Sequence, residues 1–220
     1  MFDLQHWLDE YVSAVDAAFG ARIEFIGLQG SYARGEQHEG SDIDVVLLLD
    51  EMTVEDLKLY REAIANLPQR HLLCGFVGGI EELKAWDRAD LFQFYHDTKA
   101  IYGDLDFLAP LITEADVKRA VHHAACDIYH ACAHDFVHER SAELLKGLYK
   151  AAAFALQAKY YVEHGAYISR KKDLLAKLSG ADYEVLAAGM ELPQYDLEDA
   201  VRLLFNWSGG LIKEYGQEYE

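Results

Sequence analysis

Apolar residues recur at helical spacing at the start of the chain. Leu4, Leu8, Tyr11, Val12, Val15 and Phe19 predict a helix over 3–19, stopped at Gly20. The period then shortens. Arg22 to Gln29 (RIEFIGLQ) is β-branched and apolar and reads as a strand ending at Gly30. Asp42 to Leu49 (DIDVVLLL) reads as a second strand, whose apolar tail predicts burial on both faces. Thr53-x-x-Asp56 is close to a capping box and opens a helix that ends before Pro68. His71 to Val77, closed by Gly78-Gly79, predicts a third strand, and Leu91 to Tyr95 a fourth.

Beyond Pro110 glycine becomes sparse and alanine and leucine dominate. Helical periods run over 114–137, 140–164, 183–190 and 196–215, with turns marked by Gly165, Ser179-Gly180 and Pro193. The expected fold is therefore α+β. An N-terminal domain over 1–108, a small mixed sheet with flanking helices, precedes an all-helical bundle over 109–220.

The 220 residues carry 38 acids against 20 Lys plus Arg, a net charge of −18. A protein that grips extended nucleic acid needs a basic stripe to displace phosphate counterions. The densest cationic run is only Ser169-Arg170-Lys171-Lys172. Extended nucleic acid is not expected as a partner, and the charge either only keeps the protein soluble or attracts a cationic partner. No apolar run reaches the ~20 residues of a membrane span. Cys74, Cys126 and Cys132 form no CxxC pair, so no disulfide framework or zinc ribbon is implied. A cytoplasmic location is the expectation.

The chemistry concentrates in Gly30-Ser31-Tyr32-Ala33-Arg34-Gly35 and Ser41-Asp42-Ile43-Asp44. Glycine lets a backbone approach a phosphate, and a serine hydroxyl and free amides can donate to it. Alternation along a strand puts Asp42 and Asp44 on one face, roughly 7 Å apart along the chain. Two such carboxylates repel unless a cation lies between them, and Mg²⁺ favours oxygen ligands completed by substrate phosphates. A phosphate-cradling serine beside paired aspartates suits metal-assisted nucleotidyl transfer.

The string resembles the signature of the DNA polymerase β-like nucleotidyltransferases: Gly-Ser, a short spacer, then Asp-x-Asp on a strand. The resemblance implies that Gly30 and Ser31 hold the β- and γ-phosphates of a nucleoside triphosphate, with Ser41 assisting. It also implies that Asp42 and Asp44 ligate Mg²⁺. Arg34 either reaches a phosphate or pairs locally with Glu36 or Glu39. Such proteins usually bring a third carboxylate from the neighbouring strand, and none stands between His71 and Val77; His71, Glu81, Glu82 and Asp90 are the nearby candidates.

The helix ending in Tyr160-Tyr161-Val162-Glu163-His164, with the Gly165-to-Lys171 turn after it, is similar to that of aminoglycoside adenylyltransferases of the streptomycin and spectinomycin type. That likeness implies ATP as donor and the hydroxyl of a small molecule as acceptor. It implies Glu143 as general base and Lys150 or Lys146 as a phosphate lysine, with a homodimer by analogy. Two other layouts compete. One modifies a protein hydroxyl, as in toxin–antitoxin systems that pair a nucleotidyltransferase with a HEPN-type helical domain; Arg119 and His123 match that domain's Arg-to-His spacing. The other binds nucleotide for regulation with weak catalysis.

His123, Asp127, His130, His134 and His138 fall on one helix face. That spacing suits a metal between helices, a pocket lining or a hydrogen-bonded polar seam, and the last two are expected.

Overall fold

The computed structural model describes residues 2–192 and 196–216, so the turn expected at Pro193 lies outside the described residues. Two compact units divide the chain: Met1–Asp87 with Asp97–Leu111, and Arg88–His96 with Ile112–Glu220.

In the first unit α1 (Leu4–Phe19) leads through a short 3₁₀ turn into β1 (Ile23–Gln29). One helical turn, α2 (Gly30–Arg34), and a loop deliver the chain to β2 (Ile43–Leu49). Then follow α3 (Val54–Ala63), β3 (Leu73–Gly79) and the one-turn α4 (Ile80–Lys84). The sheet order is β3-β2-β1-β4, with β4 at Lys99–Tyr102. β1 runs antiparallel to both β2 and β4, while β2 and β3 are parallel. A parallel pair needs a crossover, and α3 supplies it.

Strand β2 is central and buried at every position except Asp44, which is half-buried. Its apolar run thus lies between two covered faces, as the pattern predicted. Ile43, Val45, Leu47 and Leu49 pack against Trp7, Leu8, Tyr11 and Val15 of α1. The buried indole of Trp7 donates to the Pro68 carbonyl at 2.6 Å, which fixes the chain after α3.

The segment Leu91–Tyr95 is helical, not a strand: it lies inside α5 (Arg88–Asp97). A five-residue stretch with four apolar or aromatic positions satisfies either period, and tertiary packing decides. Phe92 is buried in the core of the second unit, its ring centroid 5.0 Å from that of Tyr161 and 5.7 Å from that of Tyr167.

The second unit continues with α6 (Glu114–His138), α7 (Ala142–His164), the one-turn α8 (Lys171–Leu175), α9 (Gly180–Met190) and α10 (Leu197–Tyr215). Thr113 and Asp116 form a capping box at the start of α6. Alanines 152, 153, 155 and 158 let α7 approach its neighbours closely, and the buried Tyr149 hydroxyl donates to the Ala200 carbonyl at 2.8 Å. Buried Gln157 holds the turn after α7, its amide donating to the carbonyls of Ile168 and Ser169 at 3.0 and 2.7 Å. No described helix is long and apolar enough to cross a membrane.

Candidate active site

Strand β1 ends at Gln29, and Gly30 turns the chain with φ +67°, in the left-handed region. A Cβ on Gly30 would stand 2.0 Å from Oδ2 of Asp44. Glycine is therefore required twice here, by the backbone angle and by the carboxylate beside it. Antiparallel pairing of Gln29 with Asp44 creates this approach.

The loop from Gly35 to Asp42 folds on itself. The Glu36 amide donates to the Ser31 carbonyl at 2.8 Å. Buried Ser41 accepts from the His38 amide through Oγ at 2.9 Å and donates its own amide to the His38 carbonyl at 3.0 Å. Ser41 thus closes the turn that launches β2. Asp42 is exposed just before that strand, and Asp44 is the second residue within it. The Gly-Ser turn and at least one aspartate therefore meet at the end of β1 and the start of β2.

Two hard carboxylates fit a divalent cation such as Mg²⁺ as a partial shell, to be completed by phosphate oxygens and water. No group of three His, Cys, Asp or Glu side chains among the described residues is arranged to hold a metal. On β3, the residue in register with Asp44 is Cys74, which is exposed. The next residue, Gly75, pairs with Val45 and could carry no Cβ, because that atom would lie 1.9 Å from the Val45 carbonyl oxygen.

None of the acids near β3 stands in that register. Glu81 and Glu82 lie on α4, beyond the far end of the strand, where Glu81 pairs with Lys84 at 2.7 Å. His71 is exposed in the 3₁₀ turn that precedes the strand, and Asp90 is exposed on α5 of the second unit.

Arg34 makes the local bond to Glu36, Nε to Oε2 at 3.2 Å. Its principal partner is one that sequence spacing did not reveal. Nη1 donates to both carboxylate oxygens of Asp97, at 2.8 and 2.7 Å, and the two side chains are only 7% and 8% exposed. Asp97 also accepts the backbone N–H of Gly30. Burial opposes the Arg34 charge, but the bonds to Asp97 and Glu36 hold its pKa above the ordinary value. Burial also pushes the Asp97 carboxyl up, against the pull of Arg34. A further bond joins Gln29 Nε2 to Thr98 Oγ1 at 2.7 Å.

Residues 8–91 match the family model of the nucleotidyltransferase domain. The Gly-Ser turn and the Asp-x-Asp strand fall within the matched span. No curated protein matches the chain significantly in sequence. Among solved structures, spectinomycin adenyltransferase AAD(9) from Enterococcus faecialis shares the fold at 12% identity and a TM-score of 0.61, covering 95% of this chain and 99% of that one. A nucleotidyltransferase-like protein from Exiguobacterium sibiricum aligns at 13% identity and a TM-score of 0.38, over 97% of this chain and 78% of its own.

Outside the matched span, Glu143, Lys146 and Lys150 all stand exposed on α7. Arg119 pairs with Asp116 on its own helix at 3.6 Å. The histidine stripe does not form the expected interior seam. His123, Asp127, His130, His134 and His138 are each exposed on α6, because Val121, Ala125, Ile128 and Cys132 take its buried face.

Proposed function

We propose that the protein uses Mg²⁺ and ATP to place AMP on a hydroxyl of a small, cationic acceptor of the aminoglycoside class. The observation that supports this reading is the packing of Gly30 against the Asp44 carboxylate, which brings the Gly-Ser turn and an acid to one point. Gly30 and Ser31 would hold the triphosphate, with Ser41 assisting; Asp42 and Asp44 would hold Mg²⁺. The cation supplies charge neutralisation at the α-phosphate and the departing pyrophosphate. The acceptor oxygen bonds to the α-phosphorus as the bond to pyrophosphate breaks, and its proton passes to a general base, the role that the family resemblance gives Glu143. The same resemblance gives Lys150 a phosphate.

The choice of ATP and of this acceptor class draws support from the fold relative, which was solved with ATP and spectinomycin. The net charge of −18 suits a cationic acceptor. Arg34 is not given a phosphate, since Asp97 and Glu36 engage it.

A second reading rests on Cys74. Lacking an acid beside Asp44, the domain binds Mg²⁺ and nucleotide for regulation and turns over slowly.

Calorimetry with a non-hydrolysable ATP analogue tests the site. Magnesium-dependent binding is expected for the wild type, weakened about a hundredfold in Asp44→Asn, as for a lost charge-assisted ligand. Absence of binding across ATP, GTP, CTP and UTP analogues overturns the proposal. Pyrophosphate release on adding spectinomycin or an aminoglycoside, with a mass gain of one AMP on the drug, separates the transferase from the regulatory reading.

A further inference from the structure

A buried ionic cluster stands beside the Gly30–Ser31 turn, and neither metal binding nor acceptor chemistry uses it. Asp97 collects two bonds from one guanidinium nitrogen of Arg34 and a third from the Gly30 amide. Arg34 in turn holds Glu36, whose amide is bonded to the Ser31 carbonyl. All four connections converge on the one-turn segment Gly30–Arg34 and the residues just after it.

Stability gives little reason for such a cluster. Desolvating both charges offsets much of their attraction, and an apolar pair of similar volume often serves a fold as well. The raised pKa of Asp97 shows the same burden, since its ionised form is held against its surroundings. Charged groups kept under those conditions mark functional sites.

Gly30 supplies the reason. It is the least constrained residue type at the point where position matters most, and α2 is a single turn. One side of Gly30 faces the Asp44 carboxylate; its amide is held by Asp97. We propose that Asp97 is a positioning residue for nucleotide binding. By gripping the Gly30 amide and the Arg34 guanidinium together, it fixes the phosphate-accepting turn against Asp44. Arg34 is thereby a strut of the turn, not a ligand of the triphosphate. This inference rests on the nucleotide reading of the site and adds a residue to it from outside the Gly-Ser and Asp-x-Asp strings.

The test uses the full-length chain as wild type, Asp97→Asn and Asp97→Glu. Two quantities are read: backbone hydrogen exchange over residues 30–35 without nucleotide, and calorimetric affinity for the ATP analogue with Mg²⁺. Asp97→Asn is expected to raise exchange in that segment and to weaken the analogue about tenfold or more. Exchange in α6 and α7 stays unchanged, and Asp97→Glu recovers part of the affinity. Should the single variant fail to fold, Arg34→Gln/Asp97→Asn leaves no guanidinium buried without its carboxylate and carries the same two readouts.

A variant that melts earlier yet binds the analogue as the wild type does overturns the proposal, because that is the signature of a merely structural pair. Unchanged exchange over 30–35 overturns it as well. A wild type that binds no nucleotide refutes the nucleotide reading and with it the binding role of Asp97. Exchange then decides separately whether Asp97 holds the turn.

Discussion

Cys74 occupies the position on β3 directly beside Asp44, and adjacent parallel strands lie about 4.8 Å apart. Residues in register share a face, so the thiol borders Asp44, the acid proposed to hold Mg²⁺. A thiol is a soft ligand, and Mg²⁺ takes oxygen. Cys74→Asp supplies a third hard oxygen donor at that point. Without a cation the new carboxylate repels Asp44, and the variant is expected to melt roughly 2–4 °C earlier, as for a loss of about 1 kcal/mol. Millimolar Mg²⁺ should restore the melting temperature and raise pyrophosphate release about tenfold. If Mg²⁺ leaves the melt of the variant unmoved, Asp42 and Asp44 are not its ligands. The contrast with Asp97 shows what one chain of letters reveals at this scale. The approach of Gly30 to Asp44 was legible because short-range strand and turn geometry fixes their relation. The Arg34–Asp97 pair was not, because 63 positions separate its members and only the folded sheet brings them together.

Helices with long apolar periods were read to within a few residues, and so was the start of α3. The expected Thr53-x-x-Asp56 box is formed: Asp56 accepts from the Thr53 amide at 2.9 Å and from the Thr53 hydroxyl at 2.7 Å. Asp56 does more than cap. Arg22, in the 3₁₀ turn before β1, donates to both its oxygens at 2.6 and 3.2 Å, tying the start of α3 to the start of the sheet. The bonds from Arg22, then those from Thr53, hold the Asp56 carboxyl well below the usual carboxylate range. A depressed native pKa contributes stability above the ordinary value near 4, which is lost as pH falls from there toward the native value. Urea midpoints at pH 7, 4 and 3 check this. Asp56→Asn should be less stable than the wild type at pH 7, and the gap should narrow as the pH falls. A gap that stays constant with pH would assign the loss to the cap hydrogen bonds alone. The short elements were harder to read. Leu91–Tyr95 carries strand-forming residues and too few positions to show its period, so only packing around Phe92 reveals a helix.

At the scale of the whole molecule, the change of texture after Pro110 announced an α/β part followed by helices, and the chain does divide into two compact units. Composition could not show that residues 88–96 return to the helical unit, because that depends on contacts made far along the chain. Phe92 and His96 lie with Tyr161 and Tyr167, with the His96 ring stacked on Tyr167 at a centroid distance of 4.6 Å. Burial there lowers the His96 pKa, as expected for an imidazole embedded among aromatic rings. The helical unit is therefore not contained in the residues after 111 alone. A fragment of residues 112–220 lacks the ring that fills this part of its core, whereas a fragment of residues 88–220 keeps it. Emptying the space of a buried phenylalanine costs about 3–5 kcal/mol. The shorter fragment should melt at least roughly 10 °C below the longer one, by circular dichroism at equal concentration. Phe92→Ala in the longer fragment should reproduce most of that loss, because the cavity and not the missing backbone is its source. Equal melting of the two fragments would mean that the helices after 111 close their own core and that α5 adds nothing to it.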